Sequence, residues 1–279
     1  MSQIEKKQEE KQEGKTIQKY VNTPLVQERL KEILGKNVST FCTSVIQIAN
    51  SSKDLSKAEP SSIINAALLS TTLNIPLNNS LGQAYIVPFN VRQKDGTYKM
   101  EAQFQIGYKG LQQLAIRSGQ YLELEAKEVY DGQVVEDESF LGYHFNWKGK
   151  KENAKVIGYA AYFKLVNGFE SKIYMSIEDI ERHAKTYSQT YKSGKGKWKD
   201  NFHKMAIKTV MKLLLNSGKA PLSIEMQNAI TADQSIIKNY DGKETMDVEY
   251  ADNTVEDVEA EVIEKKRELK SKNSTLDLP

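Results

Sequence analysis

The chain has 279 residues, 39% of them hydrophobic and 27% charged, which is enough apolar material for one large domain or two small ones. One cysteine, Cys42, excludes an intramolecular disulfide and a cysteine-based zinc site. With a polar N-terminus and no apolar run near ~18 residues, the expected setting is soluble, reducing and cytoplasmic.

The net charge of +2 hides a segregation: residues 1–19 carry +1, residues 20–238 carry +7 and residues 239–279 carry −6. A basic body with an acidic tail is an arrangement common in nucleic-acid-binding proteins. Residues 1–19 are mostly Lys, Glu and Gln and read as a disordered arm. Thr23-Pro24 then supplies a helix start, and Leu25, Leu30, Ile33, Leu34, Val38, Phe41, Val45, Ile46 and Ala49 keep a helical period with a bend at Gly35. Glu59-Pro60-Ser61 begins a second helix through Ile63, Ile64, Ala67, Leu68 and Thr72, closed by Asn74-Ile75-Pro76.

From residue 81 the pattern becomes β-branched and aromatic. Residues 82–89 and 100–108 read as a hairpin turning at Lys94-Asp95-Gly96-Thr97, and residues 111–118 as a helix ending before Gly119. Residues 121–134 read as further strand with a turn at Asp131-Gly132, and residues 153–174 as a second hairpin turning at Asn167-Gly168. Ser176-Ile177-Glu178-Asp179 opens a helix with an acidic first turn, and Pro221 starts a last helix expected over residues 222–237. Residues 239–279 read as an acidic tail, either flexible or forming a short helix of its own.

The most basic stretch, residues 182–219, holds ten Lys and Arg against one acid, Asp200. As one helix from about Lys197 to Asn216, it would bury Trp198, Phe202, Met205, Ala206, Thr209, Val210 and Leu213 and align Lys204, Lys208 and Lys212 one turn apart. Such a row, with about 6 Å between ammoniums along the axis, suits a phosphate backbone. The same lysines could equally be solvated residues of a good helix former.

Other chemistry finds less support. Gly194-Lys195-Gly196-Lys197 lacks the full phosphate-loop pattern and Gly107-x-x-Gly110 is too short for a dinucleotide fingerprint. His144, His183 and His203 show no metal-ligand spacing. Glu101, Glu123, Glu125 and Asp131 lie on or beside expected strands, which leaves a Mg²⁺-dependent single-strand nuclease as an alternative.

The run Leu-Asn-Ile-Pro-Leu, Leu-Gly-Gln-Ala-Tyr-Ile-Val-Pro-Phe and Phe-Gln-Ile-Gly-Tyr-Lys-Gly-Leu-Gln-Gln-Leu-Ala-Ile-Arg-Ser-Gly within residues 73–119 closely resembles a signature of the RecT family of phage-type single-strand annealing proteins. Trp198, Phe202, Met205, Ala206, Lys208, Thr209 and Val210 resemble that family's second signature, although Gly-Lys-Gly-Lys precedes Trp198 where many members have Ser-Pro. The likeness extends over residues 20–235. It implies an α+β fold, in which β-hairpins forming antiparallel sheet pack on a long helix with flanking terminal helices. It further implies a non-enzymatic, ATP-independent recombinase without cofactor that coats single-stranded DNA as a ring or filament and anneals complementary strands. Residues 20–238 would then form the annealing and oligomerisation domain. Helices in residues 24–49 and at the end of that domain are more hydrophobic than a monomer surface needs and are the candidates for subunit contacts. By the resemblance the tail would meet a partner exonuclease or a host single-strand-binding protein; alternatively it competes with DNA as a phosphate mimic.

Annealing needs bases left free, so such a protein should hold phosphates rather than read base edges. The expected DNA-binding residues are Tyr108, Lys109, Arg117, Lys197, Trp198, Lys199, Phe202, Lys204, Lys208 and Lys212. Among them Tyr108, Trp198 and Phe202 are possible stacking surfaces, with a core role the competing reading for Trp198 and Phe202. A passive single-strand coat is the remaining alternative.

Overall fold

Proline at the first helical position and glycine or a turn just past the end divide the N-terminal region into short helices. The computed structural model describes residues 17–93, 96–136, 143–194, 196–243 and 245–250. Helix α1 (Ile17–Val21) buries Ile17 and Val21, so the end of the expected disordered arm is packed; residues 1–16 lie outside the described residues. Helices α2 (Pro24–Leu34) and α3 (Val38–Ala49) are separated by a tight turn at Gly35, whose φ of 55° is in the left-handed region that favours glycine.

Helix α4 (Pro60–Thr72) is apolar or small around its whole circumference, and nearly every residue from Pro60 to Ser70 is buried. A helix of that kind must be enclosed on all sides. Here α1 and α3 cover one side and strands β1 (Ala84–Arg92), β2 (Tyr98–Ile106) and β8 (Ser235–Tyr240) the other. These strands and β9 (Met246–Tyr250) form an antiparallel sheet in the order β1-β2-β8-β9. Of the expected β1–β2 turn, Lys94 and Asp95 lie outside the described residues.

Helix α5 (Tyr108–Ser118) follows β2 and ends at Gly119, whose φ of 69° forms a left-handed cap. It packs on a second antiparallel sheet of β3 (Tyr121–Tyr130), β6 (Val156–Leu165) and β7 (Glu170–Ser176), in the order β3-β6-β7. A ribbon of β4 (Val134–Glu136) and β5 (Tyr143–Phe145) branches from it. Helix α6 (Ile177–Tyr187) opens on a full capping box between Ser176 and Asp179. The short helices α7 (Gln189–Lys192) and α8 (Lys197–Asp200) lead into α9 (Phe202–Leu215), which lies across β3, β6 and β7. Helix α10 (Ile224–Ala232) then delivers the chain to β8.

Three expectations need correction. The single helix over residues 197–216 is broken at Asn201 (φ −146°, ψ 54°), where a poor helix former interrupts the run, and α9 with 14 residues is the longest helix among the described residues. The helix expected over residues 222–237 stops at Ala232, and residues 235–240 are strand. The first part of the expected tail is also strand, because Met246–Tyr250 pairs with β8.

Strand β2 pairs with β8 directly only at Phe104 and Ser235, so its outer edge needs other partners. The Ala102 amide donates to Ser62 Oγ on α4 at 2.8 Å, and the Phe104 carbonyl accepts from the Gln234 amide at 2.9 Å. At the strand's end the Ile106 amide donates to Asp233 Oδ1 at 3.1 Å. The same buried carboxylate accepts from Lys208 Nζ at 2.8 Å on Oδ1 and from Lys212 Nζ at 2.6 Å on Oδ2. One anion therefore joins α9, the end of β2 and the α10–β8 junction. Burial alone would push the Asp233 carboxyl up, but the two ammoniums, by charge and hydrogen bond, hold it below its ordinary value.

The first signature motif has a packing explanation as well. A Cβ on Gly107 would stand 2.2 Å from the Gly82 carbonyl oxygen, and one on Gly110 would stand 2.3 Å from that of Gln83. The start of β1 thus lies directly against the first turn of α5, and the Gly107 amide donates to the Gln83 carbonyl at 2.7 Å. Gly110→Ala gains helix propensity of about 1 kcal/mol, yet overpacking of about 1–3 kcal/mol should dominate; urea denaturation should show a net loss of stability. Asp233→Asn leaves Lys208 buried without a counter-charge and should cost about 3–5 kcal/mol in the same measurement. Because its folded pKa is depressed, Asp233 contributes stability that is present above the unfolded value of about 3.9. That contribution is lost as pH falls through the lower folded value, so Asp233→Asn should flatten the acid limb of the stability profile.

Candidate nucleic-acid interface

The ten residues expected to meet DNA fall into three groups. Lys208 is only 7% exposed and Lys212 is half-buried, and both are bound to Asp233. The row of three solvent-facing ammoniums is therefore corrected: on α9 only Lys204 of the three is exposed. Helical spacing alone cannot distinguish a lysine facing water from one facing a buried carboxylate, since both occupy one stripe. Burial pushes the Lys208 ammonium down, opposed by the charge of Asp233, and burial first, with the charge of Lys212 second, pushes the His183 imidazole down.

The aromatic pair forms the second group. Trp198 is 6% exposed, with its ring 5.4 Å from Tyr191 and 5.8 Å from Phe202. Phe202 is half-buried and meets Tyr159 of β6 at 6.2 Å. Of the two readings left open by the sequence, core packing describes Trp198. Its burial has a consequence for its neighbours: on the single turn of α8, an inward Trp198 leaves Lys197 and Lys199 exposed on either side of it. Gly196, at φ 73°, starts that turn in a conformation costly for any residue with a side chain.

The third group lies on α5. Lys109 is exposed in the first turn, at the positive end of the helix, with Tyr108 half-buried beside it. Burial first, and the neighbouring Tyr108 second, push the Tyr85 phenol up, which places Tyr85 in the same corner. Arg117, in the last turn, is committed to structure: Nη2 donates to the Leu73 carbonyl at 2.7 Å and Nη1 to that of Asn74 at 3.4 Å, at the end of α4. A guanidinium there offsets the negative end of α4 and binds its last carbonyls. Helices α5 and α9 pack against each other, which brings the elements carrying Lys109 and Lys204 together.

Among the described residues, Lys109, Lys197, Lys199 and Lys204 are exposed and have no ion-pair partner. Four such cations can bind an extended polyanion without first breaking an internal bridge. The carboxylates weighed for a nuclease are dispersed. Glu101 is buried on β2 against Lys238 at 2.7 Å, Asp131 pairs with Lys151 at 2.9 Å, and Glu123 and Glu125 are exposed on β3. Among the described residues no group of three or more His, Cys, Asp or Glu is arranged to hold a metal ion.

A polar cluster that the sequence did not announce sits where α9 meets the second sheet. His203 Nδ1 lies 2.7 Å from the Tyr159 hydroxyl and 3.2 Å from Glu128 Oε1. Burial, followed by the charge of Glu128, pushes the Tyr159 phenol up to about 12. The cluster fixes the first turn of α9 on β3 and β6. No spacing rule connects residues 128, 159 and 203, and the only available hint was a histidine placed directly after a core phenylalanine.

Comparison with known proteins agrees with these motifs. The sequence model described as the RecT family matches residues 39–249, so the match runs through β9 and nearly to the end of the described residues. Over 255 residues the chain is 29% identical to Protein RecT of Escherichia coli (strain K12), covering 89% of this chain and 88% of that protein. Over 235 residues it is 37% identical to the uncharacterized protein YqaK of Bacillus subtilis (strain 168), covering 81% of this chain and 76% of that one. No helix of the described residues is long and apolar enough to cross a membrane. The chain belongs to the RecT family, and it is a DNA-binding protein of recombination and strand annealing.

Proposed function

We propose that the protein coats single-stranded DNA in the cytoplasm as a multimer and pairs complementary strands, without hydrolysing a nucleotide and without a cofactor. Lys109, Lys197, Lys199 and Lys204 hold phosphates, with Tyr108 beside the chain path. Trp198 and Phe202 hold the cation-bearing turn in place, and Lys208, Lys212 and Arg117 support the scaffold behind it. The observation that carries this reading is the division of the lysines. Those paired with Asp233 are withdrawn from solvent, while those flanking Trp198 are exposed and unpaired among the described residues. Holding backbones in this way leaves base edges free to pair. Multimerisation through the N-terminal helices is part of the proposal, and Leu25 on α2, 79% exposed, is an apolar contact available for it.

The acidic segment divides at residue 250. Half of the charge of −6 in residues 239–279 lies in residues 239–250, which include β9; residues 251–279, carrying the other half, lie outside the described residues. We assign residues 251–279 to contact with a partner exonuclease or a single-strand-binding protein.

The direct test incubates two complementary oligonucleotides with protein, without nucleotide and with or without Mg²⁺. Accelerated duplex formation is expected in both conditions; shortened strands would indicate a nuclease, and protected but unpaired strands a passive coat. Lys197→Glu with Lys199→Glu should weaken binding to every single-stranded sequence and reduce the salt slope by about 0.7 for each phosphate no longer neutralised. Unchanged affinity in that variant, with the fold intact, contradicts the assignment. Truncation after Tyr250 should leave DNA affinity unchanged and abolish capture of the partner exonuclease. Tighter DNA binding would instead mark the segment as a phosphate mimic.

A further inference from the structure

The second sheet has two faces, and the cationic helices account for only one. Strand alternation sends Glu128 and Tyr159 toward α9, and Lys127, Ala160 and Tyr174, which are cross-strand neighbours, to the opposite side. On that opposite side the β4–β5 ribbon folds back over the sheet, with Tyr143 5.0 Å and Phe145 6.0 Å from the Tyr174 ring. Phe145 in turn stacks on Trp147, at 5.1 Å between centroids and 16° between planes.

Trp147 is rigidly mounted and yet left open. The buried Gln133 donates from Nε2 to the Trp147 carbonyl at 2.9 Å and accepts from the Tyr130 amide at 2.9 Å. Gly132 and Gly149 approach so closely that a Cβ on either would stand within 2.4 Å of the other's carbonyl oxygen. Trp147 as a whole residue remains 42% exposed. An apolar side chain that serves only the core would be covered; here the backbone is locked while the residue, stacked on Phe145, stays partly open to solvent.

Its surroundings are cationic. Lys127 Nζ lies over the Trp147 ring, 4.5 Å from its centroid, whereas Lys150 Nζ sits 3.4 Å from the centroid of Tyr130, whose hydroxyl donates to Glu128 on the α9 side at 2.7 Å. Lys148, Lys151 and Lys155 are also exposed, against Glu152 and Asp131, the latter paired with Lys151 at 2.9 Å. An exposed indole with one ammonium over its ring and exposed Lys148 next to it in the chain matches one unpaired base with its flanking phosphates.

We propose that Trp147 is a base-stacking site for single-stranded DNA, separate from the cations of α5, α8 and α9 and on the other face of the sheet. The inference rests on the strand-annealing reading and adds a second contact to it. A base stacks on the indole, and the exposed ammoniums of Lys127 and Lys148 meet the flanking phosphates. Such a contact favours unpaired strands over duplex, in which bases are already stacked on each other.

The chain has two tryptophans, and Trp198 is buried, so quenching on contact with DNA reports chiefly on Trp147. A fluorescein-labelled oligothymidylate is titrated, with anisotropy recording binding, while an unlabelled copy is used to follow tryptophan emission. Quenching is expected with the single strand, much less with a duplex of equal length, and little in Trp147→Phe, which keeps Trp198. Trp147→Ala should weaken single-strand binding by roughly 5- to 100-fold, with Trp147→Phe recovering most of it. Normal anisotropy without quenching in the wild type, or wild-type affinity in Trp147→Ala, overturns the site. Equal quenching by polyglutamate overturns it in favour of an acidic protein partner. An absence of any anisotropy change in the wild type overturns the annealing reading, and the site with it.

Discussion

The buried carboxylate of Asp233 is the point on which the architecture depends. Two lysines from α9 and one amide from the end of β2 converge on it, and it stands at the junction where α10 gives way to β8. Separating any of these groups from it would leave a charge or a strand terminus without a partner in a desolvated place. The two sheets are thereby coupled through α9, which rests its apolar side on β3, β6 and β7 and its paired lysines on the first sheet's end. Glycines at 107 and 110 perform the corresponding task for α5, allowing its first turn to lie against the backbone of Gly82 and Gln83 just before β1.

That coupling also sorts the basic residues. Lysines inside the joint are consumed by it, and those on the single turn of α8 and on the first turns of α5 and α9 remain for solvent and ligand. Net charge or charge clustering cannot make this distinction, because the buried and the exposed lysines of residues 197–212 belong to one basic stretch. Lys208 in particular lies within a motif and is buried, so a motif position here reports the fold as readily as the ligand.

Much of the fold was legible beforehand, for reasons that are local. Thr23-Pro24, Glu59-Pro60, Asn167-Gly168, Ser176 with Asp179, and Gly119 each act within a few residues of where they occur, and each marks an element boundary in the structure. What could not be read was non-local. Ser235–Tyr240 is strand because it completes the edge of β2 and covers α4, where Asn65 Nδ2 donates to the Ile237 and Lys238 carbonyls at 3.0 Å each. Without that partner, its apolar residues continue a helical pattern. Asp233 was likewise invisible, although a lysine set between Ile207 and Val210 in an otherwise apolar run implies a buried acid somewhere. The break at Asn201, a poor helix former, goes together with ring packing among Tyr191, Trp198 and Phe202, which a one-dimensional period does not contain.

Protection of individual lysines from acetylation, read by mass spectrometry with and without a saturating oligothymidylate, tests the division of the lysines most directly. Lys109, Lys197, Lys199 and Lys204 should be modified in the free protein and protected in the complex, while Lys208 stays unmodified in both. Reactivity of Lys208 that DNA suppresses, together with indifference at Lys197 and Lys199, would contradict it.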